Sequence, residues 1–230
     1  MHAARRLAVV GATLAGCNQV FGLDPTSPID APPPPPPPVG FVQVDANEDF
    51  SDSVDVEMSA PLQVGDTLVA CAYADGPDSV AVTDTQHNMF TQIVGPAMYG
   101  PGGNVYLFAA YATKAGSDTV TLAGTNGLDL ILFVHEFVNV GAFQAGSSQH
   151  GTDQSTDGMT SGAIAAAPAT MLFGCGISQE SMAGTNFATL STFDSNITEY
   201  RIVSQAGSDA ATATSTGFPA DWTMLGAVFR

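Results

Sequence analysis

The sequence predicts an all-β fold, an antiparallel β-sandwich of the jelly-roll or lectin-like type, forming a single domain over residues 41–230. Short runs of alternating apolar and polar residues recur through this region, separated by clusters of Gly, Asp, Asn and Pro. That pattern is typical of many short strands joined by turns. The one Ala-rich stretch, 163–167, is too short to nucleate a helix unaided. A region of this length suffices for one sandwich with a sizeable core and is short for two domains.

The strand pattern identifies the elements in order along the chain. Residues 53–58 alternate strictly, which predicts a half-buried strand near an edge of its sheet. Residues 104–113 and 128–138 are apolar on both faces, which predicts central strands covered on both sides. The predicted strands are 53–58, 66–74, 80–82, 90–94, 104–113, 118–123, 128–138, 159–165, 170–178, 198–205, 209–215 and 222–229.

Residues 84–88 are predicted to form the turn of a hairpin between the strands at 80–82 and 90–94. We expect His87 or Asn88 to adopt the positive φ that such a turn requires, because His and Asn tolerate it better than most residues.

The first 16 residues have the layout of an export signal. Arg5 and Arg6 precede the apolar run 7–15, as in a signal peptide that is later removed. The run is about half as long as the 20 or so apolar residues that cross a bilayer. It therefore does not predict a membrane span.

Leu14-Ala15-Gly16-Cys17 resembles the lipobox of bacterial prolipoproteins at every position. The resemblance implies cleavage before Cys17, acylation of its sulfur and anchoring in a lipid bilayer, since two or more acyl chains make a stable anchor. Asn18 stands where this family commonly has aspartate in proteins retained at the inner membrane, which favours the outer membrane. The alternative is an ordinary signal peptide with a chance cysteine.

Residues 17–40 are predicted to be a tether. Pro32–Pro38 are seven consecutive prolines, and a polyproline II helix rises about 3.1 Å per residue, so the run makes a semi-rigid spacer of roughly 20 Å. It would hold the domain off the bilayer.

Lipidation would use one of three cysteines and leave Cys71 and Cys175. Each lies in a strand-like run, on a face shared with apolar residues. In an oxidising compartment the two are a candidate disulfide. Two buried free thiols are the alternative, and the residues leave both open, because a bridge needs Cα atoms closer than about 7 Å.

The charge of the chain excludes one class of partner. Its 22 acidic residues all follow Cys17, whereas Lys114, Arg201 and Arg230 are the strong bases left after that position. So negative a chain repels phosphate backbones, which excludes nucleic acid.

No catalytic constellation appears in the sequence. There is no G-x-S-x-G elbow, the single lysine rules out a P-loop, and no two cysteines have zinc spacing. His135-Glu136 begins like a zinc-protease motif, but Asn139 replaces the second histidine. We expect one of His135 and Glu136 to point inward in a hydrogen-bonded structural role.

A calcium site built from Asp45, Glu48, Asp49 and Asp52 is the one cofactor site that the sequence suggests. Its D-x-N-x-D opening resembles a calcium loop, but Phe50 replaces the glycine of an EF-hand. A solvated acidic segment is the alternative.

Two stretches are predicted to be recognition loops, because sandwiches carry function on their loops. They are Gly95–Gly103, with Met98 and Tyr99, and Gly146–Gly158, which is polar. The candidate ligand residues of the second loop are His150, Asp153 and Asp157.

Five segments together resemble a recurrent β-sandwich module of secreted and surface bacterial proteins: VGDTLVACAYAD, VTDTQHNMF, KAGSDTVTL, FVHEFVNV and ADWTMLGAVFR. The resemblance covers about 41–230 and implies a fold without an activity. His87 stands where that pattern usually has glycine.

We expect an outer-membrane surface lipoprotein whose sandwich is a binding or adhesion module without catalysis. Its partners would be the bilayer, through acylated Cys17, and a glycan or another envelope protein. A carbohydrate-active hydrolase and a passive coat component are the alternatives. A carboxylate pair about 5–10 Å apart in a groove would favour the hydrolase.

Overall fold

A computed structural model describes residues 37–76, 79–124, 129–152, 158–178, 181–215 and 221–230. Residues Pro38–Arg230 form one compact unit. Several antiparallel sheets pack together and no α-helix forms among the described residues, which confirms the prediction of an all-β sandwich in a single domain. Cys17 and the tether up to residue 36 lie outside the described residues.

The domain contains strands β1–β18. Their bounds are β1 Gly40–Asp49, β2 Ser53–Glu57, β3 Thr67–Asp75, β4 Ala81–Asp84, β5 Thr91–Tyr99, β6 Gly103–Tyr111, β7 Thr119–Ala123, β8 Leu130–Val138, β9 Phe143–Thr152, β10 Gly158–Thr160, β11 Ile164–Ala166, β12 Met171–Ile177, β13 Ser181–Ala183, β14 Ala188–Ser191, β15 Ile197–Ile202, β16 Gly207–Asp209, β17 Thr212–Ser215 and β18 Asp221–Phe229.

These strands form four layers. Two five-stranded inner sheets, with orders β1-β8-β3-β6-β5 and β14-β15-β12-β18-β9, face each other across a core that includes Phe133, Phe173 and Phe229. The outer sheet β2-β7-β4 covers the first inner sheet, with Val56 and Leu122 in the core between them. The sheets β10-β17-β13 and β11-β16 cover the second. The inner strands are therefore buried on both faces, as their unbroken apolar runs predict.

The second half of the domain repeats the strand order of the first. The N-terminal half, β1–β8, has the inner order β1-β8-β3-β6-β5, and the C-terminal half, β9–β18, has β9-β18-β12-β15-β14 when read from the opposite edge. The outer sheets also correspond, as β2-β7-β4 and β10-β17-β13. Each half alone would leave its inner sheet with one apolar face uncovered, so the two halves share one core.

Cys71 and Cys175 form a disulfide, with Cα atoms 6.4 Å apart. The bridge joins β3 to β12, which are equivalent strands of the two halves, at the level where Cys71 pairs with Phe133 and Cys175 with Leu225. Both cysteines are fully buried in the core between the inner sheets. The free-thiol alternative is thus excluded.

Three predictions about local structure meet different outcomes. The prediction of a hairpin between the strands at 80–82 and 90–94 is wrong. β4 pairs with β7 in an outer sheet, whereas β5 pairs with β6 in an inner one. The turn nevertheless places His87 at φ 61°, as expected. The strand predicted at residues 159–165 is two strands, β10 and β11, in different outer sheets.

Ala169 is another non-glycine residue in the left-handed region, with φ 63° and an exposed side chain. We expect Ala169→Gly to raise the free energy of unfolding by about 0.5–1 kcal/mol, because glycine removes the Cβ strain of that conformation. Ala81→Gly, at an exposed site in β4, should lower the free energy of unfolding. Alanine is unstrained at an ordinary strand position, so glycine there only adds backbone entropy to the unfolded chain. Urea denaturation of both variants checks this, and equal effects would contradict it.

Candidate functional site

A cleft of about 400 Å³ opens at one end of the core between the two inner sheets. Tyr73 and Ile177 line it from equivalent positions, each two residues beyond a bridging cysteine. Both halves supply its walls, with Tyr73, Tyr99, Asp129 and Ile131 from the N-terminal half and Ile177, Ser178, Asp194, Ser195 and Asn196 from the C-terminal half. Ligand sites are often found between two such units.

Two tyrosines form the aromatic part of the cleft. The rings of Tyr73 and Tyr99 meet edge to face, with centroids 5.5 Å apart, a favourable geometry for aromatic pairs. Gly103 makes room for this pair, because a Cβ at that position would lie 2.4 Å from the Tyr73 ring. Next to Tyr99, the Met98 carbonyl accepts a hydrogen bond from the Thr223 hydroxyl at 2.5 Å, which ties β5 to β18 of the other half.

Asp129 lies immediately before β8, where the chain enters the sheet at the rim of the cleft. Burial, followed by the charges of Glu48, Asp194 and Asp75, raises the pKa of Asp129 to about 6. Its Oδ1 atom is closed off from solvent and has no hydrogen-bond partner among the described residues. A carboxyl group in this state is able to exchange protons near neutral pH.

The hydroxyl groups of both tyrosines lie in the same negative field. Burial raises the pKa of Tyr73, and the charges of Asp75 and Asp129 raise it further. Burial likewise raises the pKa of Tyr99, with contributions from Asp221 and Asp194. Both phenols therefore stay protonated and can donate hydrogen bonds to a ligand.

The turn 193–195 and Asn196 form the opposite wall. Asp194 and Ser195 both have positive φ, 49° and 61°, a conformation that costs a non-glycine residue free energy and persists where the surroundings enforce it. The Asn196 side chain enforces it here, since its amide donates to the Asp194 carbonyl at 3.1 Å. Its Oδ1 accepts from the Ser178 backbone N–H at 3.0 Å. The turn is thus fixed to the end of β12.

The predicted recognition loops are largely strand. Gly95–Gly103 belongs to β5 up to Tyr99, and Gly146–Gly158 belongs to β9 up to Thr152. Tyr99 lines the cleft, whereas Met98 is half exposed beside it. His150 is exposed in β9 and pairs with Thr223 of β18. Asp153 and Asp157 lie outside the described residues.

The predicted calcium ligands do not come together. Asp45, Glu48 and Asp49 lie within β1 rather than in a loop, and the four-residue step from Asp45 to Asp49 spans about 13 Å of strand. Asp45 accepts a hydrogen bond from the Ser59 backbone N–H at 2.9 Å, whereas the charge of Glu48 raises the pKa of Asp129 at the cleft. In the part of the chain that the structure describes, no group of three or more His, Cys, Asp or Glu side chains is arranged to hold a metal ion.

The expectation that only one of His135 and Glu136 points inward is wrong, because sheets cover both faces of β8 and both side chains are fully buried. His135 contacts the Val69 carbonyl at 3.0 Å and the Thr198 hydroxyl at 2.9 Å, and burial lowers its pKa to about 4. Glu136 accepts from Gln43 at 2.6 Å. Both are satisfied core residues with a structural role.

Sequence reasoning missed Tyr73, Asp129 and Asp194. Asp129 directly precedes a strongly apolar strand, so its place at a sheet end was readable from the sequence. Asp194 carried no comparable signal, because its position depends on how the two halves pack.

Comparison of the chain with known protein families, with curated proteins and with solved structures finds no match. Among the described residues, no helix has the length and apolar character needed to cross a membrane.

Proposed function

We propose that this chain is an exported surface lipoprotein, anchored through acylated Cys17, whose sandwich domain binds a carbohydrate in the cleft between its two halves. The observation that carries the proposal is the pairing of Tyr73 and Tyr99 with Asp129 and Asp194 in one cleft. Its volume of about 400 Å³ falls in the range of small-molecule sites.

The chemistry of the cleft suits a sugar. Carbohydrate rings present C–H groups that pack against aromatic rings, and hydroxyl groups that donate to carboxylates. Tyr99 and Tyr73 supply the rings, and the carboxylates of Asp129 and Asp194 supply acceptors. Because Asn196 and Ser178 hold the Asp194 turn to β12, the Asp194 acceptor is positioned before the ligand arrives, which limits the entropy lost on binding.

The test is a glycan array probed with the mature protein and, for each hit, titration of variants. We expect Tyr99→Ala to weaken binding about tenfold, since an aromatic contact contributes about 0.5–1.5 kcal/mol beyond its buried area. Tyr111→Ala is the matched control, because Tyr111 is an exposed tyrosine at the end of β6 away from the cleft. Equal losses in the two variants, or no binding by folded protein, would contradict the proposal and favour a passive coat.

A hydrolase is the second candidate, and the raised pKa of Asp129 favours it. A carboxyl with a pKa of about 6 beside the charge of Asp194 resembles the acid and base pair of glycoside hydrolysis. Under this alternative, Asp129→Asn would abolish release of reducing sugar from an array hit. Under the binding proposal, no sugar is released by the unmodified protein.

The anchor is tested separately by mass spectrometry of the mature protein. We expect the amino terminus to be Cys17 carrying acyl chains, and Cys17→Ala to release the domain from the membrane fraction. An intact residue 1 or an unmodified thiol would refute the anchor without affecting the sugar site.

A further inference from the structure

We infer that the sugar bound in the cleft carries a free, protonated amino group, so that the ligand is an amino sugar or a polymer of amino sugars. This inference rests on the proposed function and narrows it. The reasons are the negative charge around the cleft, the unpartnered carboxyl oxygen of Asp129 at its rim and the kind of cation that these carboxylates fit.

Carboxylates from both halves of the domain make the cleft negative. Asp129 and Asp194 line it. The charges of Glu48 and Asp75 raise the pKa of Asp129, and the charge of Asp221 raises the pKa of Tyr99. Two acids therefore line the cleft, and three more lie close enough to act electrostatically on its residues.

No base balances this charge from within the described walls of the cleft. Arg201 is paired with Asp209 beside an outer sheet. Lys114 follows Tyr111, at the end of β6 away from the cleft. A cationic ligand is therefore attracted, a neutral one is not, and an acidic sugar is repelled.

One atom at the cleft lacks the partner that burial demands. The Oδ1 atom of Asp129 is closed off from solvent and has no hydrogen-bond partner among the described residues. Buried polar groups are nearly always hydrogen-bonded, so a ligand donor that reaches this carboxyl group would satisfy it.

An ammonium group fits the carboxylates of the cleft, Asp129 and Asp194, better than a metal ion does. It offers three donors and no acceptor, and it is attracted to the faces of aromatic rings such as those of Tyr73 and Tyr99. A hard divalent ion needs six or more oxygens at about 2.0–2.6 Å. The described residues hold no group of three acidic side chains arranged for that purpose.

The experiment compares oligomers of glucosamine, N-acetylglucosamine and galacturonic acid as ligands of the full mature protein, by isothermal titration calorimetry near neutral pH. We expect glucosamine oligomers to bind at least about tenfold more tightly than their N-acetylated counterparts, since a charge-assisted hydrogen bond is roughly twice as strong as a neutral one. Galacturonic acid oligomers should not bind.

Variants locate the preference in the cleft. Asp129→Asn should remove the preference for glucosamine, whereas Asp55→Asn, at an exposed site in β2, should keep it and so exclude attraction by net charge alone. Asp194→Asn is a second variant at the cleft in case Asp129→Asn fails to fold. Equal binding of free and N-acetylated oligomers would overturn the inference and leave the proposed function standing. Absence of binding to every saccharide would overturn the proposed function itself.

Discussion

Replacing Cys71 and Cys175 together by alanine is expected to lower the free energy of unfolding by about 4–5 kcal/mol. The disulfide joins residues 104 positions apart, and closing a loop of that size restricts the unfolded chain by about this amount. Urea denaturation of the oxidised protein and the double variant measures the difference. The effect should be larger than for most single substitutions, which fall at about 0.5–3 kcal/mol.

Two controls separate the cross-link from the loss of buried atoms. Val105→Ala removes apolar volume from the same core, where Val105 is fully buried, and leaves the bridge intact. The unmodified protein with the bridge reduced loses the cross-link and keeps every atom of both side chains. If reduction leaves the unfolding midpoint unchanged, the loop-closure account is wrong and the halves are held together by packing alone.

The sequence placed both cysteines on inward faces of strands but did not show that the two strands are neighbours. That information lies in the repeated strand order, because β3 and β12 are the central strands of the two inner sheets. Equivalent strands of two facing sheets lie close to each other in the core. The repeat is not visible in the amino-acid sequence, because equivalent positions carry unlike residues. Glu199 of β15 pairs with the residue before Cys175, and its equivalent Phe108 of β6 pairs with the residue before Cys71.

Strands with clear periodicity were predicted well and polar strands were missed. The alternation of residues 53–58 identified β2, and the double-sided apolar run 128–138 identified β8. β1 and β9 were treated as an acidic segment and a loop, because their side chains are mostly polar and only partly buried. Each lies at the edge of an inner sheet, where backbone hydrogen bonds to one neighbour define the strand and hydrophobic alternation is weak.

The candidate site was predicted only in part for a related reason. Tyr99 was singled out as a loop residue and does line the cleft, although it lies in a strand. Its partners Asp129 and Asp194 are 65 residues apart in the chain and come from different halves. No local pattern encodes that proximity, which arises from the packing of one inner sheet on the other.

Glu199→Gln is expected to stabilise the protein at alkaline pH relative to the unmodified chain, by about 3 kcal/mol. Glu199 is fully buried in β15. Burial raises its pKa from 4.5 to about 7, against the opposing effect of hydrogen bonds from Gly184 and Thr212 and the charge of Arg201. Its Oε1 atom has no partner among the described residues, so the ionised form is poorly compensated.

The sign follows from proton binding. Between pH 4.5 and about 7 the folded state keeps the proton on Glu199 while the unfolded state releases it, so this residue's contribution to stability is present below pH 4.5 and is lost as pH rises through about 7. A shift of this size corresponds to about 3 kcal/mol. Glutamine keeps the oxygen that accepts from Gly184 and cannot ionise, so the advantage of the variant should grow through that window.

Urea denaturation of both proteins at pH 4, 6 and 8 measures that difference. His135, whose lowered pKa makes stability fall as pH drops below its usual range, is present in both proteins and cancels in the comparison. Glu57→Gln, at an exposed position in β2, is the matched control and should show no such trend. A constant difference between Glu199→Gln and the unmodified protein would mean that Glu199 has the same pKa in the folded and unfolded states, which would contradict the prediction.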